Sequence, residues 1–214
     1  MELAFEVTGV RSAPHSIVPT VIFRLRITRI GGAHAVHALA LRVQVQIDAR
    51  RRRYAADEQH RLYEVFGEPS VWDRSLRPLV WTHAAIVAPA FDSSIDVDLP
   101  VPCTYDFEVA AAKYLHAVRD GDIPLLFLFS GTAFLAGDQA VAIEPVAWDR
   151  EAAFRMPAGQ WRSVMDAFFP NAAWIRVSRD TLNALHAYRG RQAAPDWDTT
   201  ILALLREAAV REPA

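Results

Sequence analysis

The sequence predicts an α+β protein: an antiparallel, β-sandwich-like body carrying one packed amphipathic helix, followed by a small helical C-terminal element. Three observations carry that expectation. Apolar and polar residues alternate through much of the first hundred positions, the period-two habit of strands with one buried and one wet face. Around residues 106–119 the apolar spacing lengthens to three and four, the stripe of an amphipathic helix. Beyond about residue 151 helical patterns dominate and aromatic residues become dense.

Taken in order, Phe5 and Val7 alternate with Glu6 and Thr8, and Val21, Phe23, Leu25 and Ile27 alternate with Arg24, Arg26 and Thr28. After Gly31-Gly32 comes the clearest strand, with Leu39, Leu41, Val43, Val45 and Ile47 on one face and Arg42, Gln44, Gln46 and Asp48 on the other. Asp57–Phe66 has helical spacing and is stopped by Gly67-Glu68-Pro69. Leu79–Val87 and Ile95–Val101 read as further strands. In the helix at 106–119, Thr104 or Asp106 is the expected N-cap and Gly121 the expected stop. Ile123–Phe129 is a continuous apolar run, the pattern of a central strand covered on both faces, and Val141–Trp148 reads as the last strand of the body. In the tail, Pro157 sits near the start of a helix reaching about Phe168, Ser178 caps a second, and Asp196–Ala209 forms a third. The expected division is therefore a β-rich body over 1–150 and a mostly helical element over 151–214 packed on it.

The 214 residues suit a single core, and 52% hydrophobic with 22% charged residues is globular composition. The net charge of −2 gives no electrostatic footprint for nucleic acid. The longest apolar run, Ile123–Phe129, is far short of the roughly 20 residues of a membrane helix, and the N-terminus lacks a basic region followed by an apolar one. A cytoplasmic location is the expectation. Almost every basic residue is Arg, as in a GC-rich genome.

Chemistry-bearing residues are few and dispersed. Cys103 is the single cysteine, so no internal disulfide or thiolate metal site can form. A lone cysteine is most often inert packing, although pairing with His83 or His116 would make it a nucleophile. His34 and His37 have chelating spacing on a helix, but on a strand they point to opposite faces. Asp92, Asp96 and Asp98 resemble the wet face of a sheet more than a calcium loop. The Trp-Asp-Arg triplets at Trp72 and Trp148 are too far apart for propeller blades. No catalytic residue, metal site or cofactor is expected from these patterns, and no phosphate-binding glycine fingerprint occurs.

Two stretches carry partner-binding chemistry. Arg51, Arg52 and Arg53, within the run that starts at Arg50, offer guanidinium groups to an acidic partner, with Asp48, Asp57 and Glu58 close enough to weaken the field. In the tail, Trp174, Arg176, Arg179, Tyr188 and Trp197 have the aromatic-and-arginine composition of interface hot spots.

Three segments together resemble a known group: Phe5-Glu6-Val7 with Pro19-Thr20-Val21-Ile22-Phe23; Phe127-Leu128-Phe129-Ser130-Gly131-Thr132; and Trp161 with Phe169-Pro170-Asn171-Ala172-Ala173-Trp174-Ile175 and Asp196-Trp197-Asp198. They are similar to an uncharacterised bacterial family often encoded beside nickel–iron uptake hydrogenases. That resemblance implies an accessory role in assembling or stabilising a hydrogenase complex, with hydrogenase subunits or maturation factors as partners, and it transfers no catalytic residue. Long strands followed by a helix also resemble the export chaperone SecB at the level of fold. The function expected from the sequence is a non-enzymatic accessory or binding protein, with a homo-oligomer left open. The alternatives are a small cysteine-dependent hydrolase or transferase, and a carrier of a lipid or other apolar molecule.

Overall fold

The computed structural model describes residues 1–13, 15–32, 34–103, 109–136, 141–170, 172 and 175–211. Its contacts divide the chain into two compact units, Met1–Ala173 and Trp174–Ala214.

The first unit holds two antiparallel sheets. β1 (Glu2–Ser12), β2 (Thr20–Gly31) and β5 (Ser94–Pro102) form a three-stranded sheet in the order β1-β2-β5. β4 (Leu79–Ala88), β3 (Val36–Ile47), β6 (Asp122–Leu135), β7 (Ala142–Pro145) and β8 (Glu151–Pro157) form the second. In it β3 lies between β4 and β6, and the far side of β6 is shared: β8 pairs with its first half and β7 with its last turn of register. The expected last strand at 141–148 is the shorter β7, and a further strand that the sequence reading missed, β8, follows it, because β6 is long enough to pair with two successive segments.

Period-two alternation predicts which side chains face inward, and the burial follows it. Val21, Phe23, Leu25 and Ile27 are wholly buried, as are Leu39, Val43, Val45 and Ile47. Phe23 joins the sheets: its ring stands edge-on to Phe127 of β6 at 5.0 Å, to Phe154 of β8 at 6.0 Å and to Trp81 of β4 at 6.2 Å. Phe5 of β1 stacks on Phe129 of β6 at 4.2 Å. Such ring pairs add about 0.5–1.5 kcal/mol each beyond the apolar area they bury.

α1 (Ala56–Phe66), the short α2 (Trp72–Ser75), α3 (Ala110–Ala117) and α4 (Ala158–Phe168) all lie within the first unit. α3 buries Ala111, Tyr114 and Leu115, the stripe the sequence predicts, while its expected N-caps Thr104 and Asp106 fall outside the described residues. The unit runs past residue 150 to Ala173, so β8 and α4 belong to the body. The second unit contains α5 (Arg179–Gln192) and α6 (Trp197–Arg211). Ser178 caps α5 as expected, its hydroxyl accepting from the Thr181 N–H at 3.1 Å.

Gly131 of β6 is where β3 comes closest. It has φ +153°, and a Cβ there would sit 2.1 Å from the Ala40 carbonyl oxygen. Gly131→Ala should therefore lose more than about 3 kcal/mol of stability in urea unfolding. Gly159→Ala, in α4 with open space around it, should instead be neutral or gain up to about 1 kcal/mol.

Candidate functional site

The run after β3 ends at a buried acid. Asp48 is 3% exposed and takes Arg50 at 3.2 Å and Arg51 at 3.1 Å, leaving most of both arginine side chains in solvent. Arg52 turns inward. Its guanidinium pairs with buried Glu58 of α1 at 2.6 Å and donates to the Asp122 carbonyl at 2.8 Å. Gly121 makes room for it: with φ +68°, a Cβ at this position would lie 3.1 Å from Arg52 Nη1. The glycine expected as a helix stop is therefore also a seat for the arginine. Glu58 accepts in addition from the Ala55 N–H, fixing the start of α1. Arg53 is exposed and makes no ion pair among the described residues.

Beside these arginines lies an open groove of about 470 Å³ lined by Arg50, Arg53, Tyr54, Gln59, Trp72 and Asp73 among others. Tyr54 donates to the Ala49 carbonyl or shares a proton with Tyr114 Oη at 2.9 Å, and its ring stands edge-on to Trp72 at 5.5 Å. Burial, reinforced by the neighbouring phenol, raises the Tyr54 pKa above the ordinary tyrosine range and takes Tyr114 to about 12. Both stay neutral hydrogen-bonding groups. Of the run, Arg51 and Arg52 thus have acidic partners inside the body, while Arg53 alone faces the groove without one. Sequence reasoning missed Tyr54 and Trp72; the only signal was that an aromatic residue follows the arginines directly.

The tail residues are held by one another. Trp197, at the start of α6, packs edge-on to His186 of α5 at 4.7 Å and under the Arg189 guanidinium at 5.0 Å. Tyr188 donates to Glu207 at 2.6 Å and has Arg191 over its ring at 5.9 Å. Tyr188 and Trp197 therefore clasp α5 to α6. Arg176 and Arg179 are exposed. Trp174 lies outside the described residues. On the same unit Ile175 is 69% exposed, Leu202 50% and Leu205 60%, with Val177 and Leu182 near 40%. Leu202 and Leu205 of α6 are thus left largely in solvent.

The remaining candidates are structural. Cys103 is 6% exposed, and burial pushes its thiol to about 12. Among the described residues its Sγ meets the Val101 carbonyl at 3.7 Å and no histidine or carboxylate. His116 packs against Trp161 at 4.7 Å, and burial, then the Arg162 charge, lower its pKa to about 4. Asp96 takes Arg26 at 2.9 Å and Asp98 takes Arg11 at 2.6 Å, the cross-strand pairs of a solvated sheet face. No group of three or more metal-ligating side chains occurs among the described residues. No described helix is long and apolar enough to cross a membrane.

Two measurements check these roles. Glu58→Ala leaves the Arg52 charge buried without its acid and should cost about 3–5 kcal/mol, whereas Arg53→Ala should stay within about 0.5 kcal/mol of the parent in the same unfolding assay. With its thiol moved from 9.0 to about 12, Cys103 carries about a thousandfold less thiolate than an ordinary cysteine. A disulfide-exchange reagent at pH 8 should accordingly leave it unmodified in the folded chain and label it fully in urea.

Several solved structures are faintly similar. A protein described as late embryogenesis abundant (LEA) matches over 72% of this chain and 71% of its own, at 10% identity and a TM-score of 0.32. An adhesin from Mobiluncus mulieris matches over 74% of this chain and 57% of its own, at 10% identity and a TM-score of 0.28. A protein from Bordetella pertussis described as ApaA matches over 73% and 94%, at 16% identity and a TM-score of 0.24. Likeness this weak carries no argument about activity. No curated protein matches the chain. Residues 1–213, nearly the whole length, match a single family: the chain belongs to the family of unknown function DUF6084.

Proposed function

We propose that this protein is a non-enzymatic accessory protein that binds a partner protein through its C-terminal helical unit. The observation that carries the reading is the exposed apolar set on that unit, Ile175, Leu182, Leu202 and Leu205, together with the exposed Arg176 and Arg179 of the same unit. A two-helix hairpin spends its aromatic residues holding itself together, so side chains of this size left in water gain from transfer into a partner's surface, at about 25 cal/mol per Å² buried. Exposed arginine on the same unit supports the same reading, because its planar, weakly hydrated head suits an interface.

The partner class that fits the family resemblance is a subunit or maturation factor of a nickel–iron uptake hydrogenase, and a cytoplasmic location belongs with it. Support for that partner rests on the resemblance alone; support for a binding role rests on the surface. The cysteine-dependent alternative gains nothing from Cys103, whose thiol is buried and protonated at neutral pH.

Leu202→Asp combined with Arg176→Ala should reduce co-purification of hydrogenase subunits from a hydrogenase-expressing cell by about tenfold or more, with the far-ultraviolet circular dichroism unchanged. Undiminished capture by the folded double variant would remove this surface from the reading.

A further inference from the structure

The edges of the two sheets differ in how they are guarded. An edge strand presents a row of backbone N–H and C=O groups to any other strand, and proteins blunt that edge with charges, proline, bulges or shortness. β1 carries Glu2, Glu6 and Arg11 and a bulge at Thr8. β5 carries Asp96, Asp98, Pro100 and Pro102. β7 is four residues with Glu144 and Pro145, and β8 carries Glu151, Arg155 and Pro157. β4 has no charged residue and no proline, and it is not short. Its ten residues, Leu-Val-Trp-Thr-His-Ala-Ala-Ile-Val-Ala, include no Asp, Glu, Lys, Arg, Pro or Gly. Among the described strands β4 pairs with β3 and with no other. Its one bulge is at Trp81, which leaves Thr82–Ala88 in unbroken register with β3.

The flank beside β4 is also open. Thr82, Ala84 and Ile86 stand opposite Val45, Val43 and Leu41 and so point into the sandwich. Those β3 partners are at most 2% exposed, yet Thr82, Ala84 and Ile86 are only half-buried. Ile95 and Val97 of β5 are half-buried as well. α3 approaches β4 without sealing this seam. On the outer face Val87 is 71% exposed, and Ala85 is exposed beside it.

We propose that two copies of this chain pair antiparallel through β4 across a two-fold axis, joining their larger sheets and covering both apolar seams. The charge pattern favours a second copy as the occupant: a strand with no charged residue, laid against itself in any antiparallel register, opposes no like charges. The antiparallel sense continues that of the sheet. Each chain offers one unguarded edge, so association closes at a dimer and does not grow into a fibre. The proposal is independent of the C-terminal binding surface, and neither fails with the other.

Sedimentation velocity of the full chain from low micromolar concentrations upward tests it. The parent should be a dimer that dissociates on dilution. Ala85→Lys and Ala85→Glu should each raise the dimer dissociation constant by about tenfold or more while keeping the parent's circular dichroism. An equimolar mixture of the two should recover the dimer, because opposite charges then meet near the axis. Val87→Lys, at a position 71% exposed, replaces either variant that fails to fold. A parent that stays monomeric at every concentration overturns the proposal. So do a dimer unmoved by these substitutions, a mixture that does not reassociate, and a monomer that takes an extended peptide of another protein on β4.

Discussion

The structure of the first unit depends on the contact between its two sheets, and that contact converges on Phe23. A three-stranded sheet cannot hide its apolar face alone, and neither can a five-stranded one. Phe23 sits at the middle of the smaller sheet and touches aromatic rings from β4, β6 and β8 of the larger. Three strands that are remote in sequence are thereby gathered on one side chain. Phe5 on Phe129 repeats the arrangement one strand over. With the sheets fixed in this way, the strand ends, helices and turns have little freedom left.

The charges follow from that frame. Asp48 lies at the buried end of β3 and Glu58 in the first turn of α1, and a carboxylate in either place is costly unless it is paired. The arginine run supplies the pairs. What looks in one dimension like a basic patch is in three dimensions mostly the counter-charge of two buried acids, with Arg53 left over beside the Tyr54 and Trp72 groove. The smaller sheet's wet face is treated similarly, with Arg11 and Arg26 matched to Asp98 and Asp96 across the strands. Much of the charge described in the first unit is therefore paired within the fold, and the surfaces proposed for recognition are chiefly apolar, with Arg176 and Arg179 on the C-terminal unit.

Two such surfaces stand out for opposite reasons. The C-terminal helices use Trp197 and Tyr188 to hold each other and leave leucines outside. β4 leaves an edge without charge or proline where every other edge among the described strands carries one or both. Cys103 and His116, the residues that look most reactive in the sequence, are instead kept neutral by burial in apolar surroundings.

Local pattern alone determined β1 to β7, the amphipathic helix and the capped helices of the tail, because period-two alternation, the three-and-four stripe and a capping serine at 178 act over a few residues and need no distant partner. It also determined which side chains of β2 and β3 are buried. Tertiary structure decided the rest. It set the division of one long β6 between β7 and β8, and the inward turn of Arg52 beneath Gly121. It decided which leucines of α6 stay wet, and which one edge of two sheets is unguarded. Each of these depends on what lies opposite a residue in space, and pairing between segments tens of residues apart is not encoded in the spacing within either one.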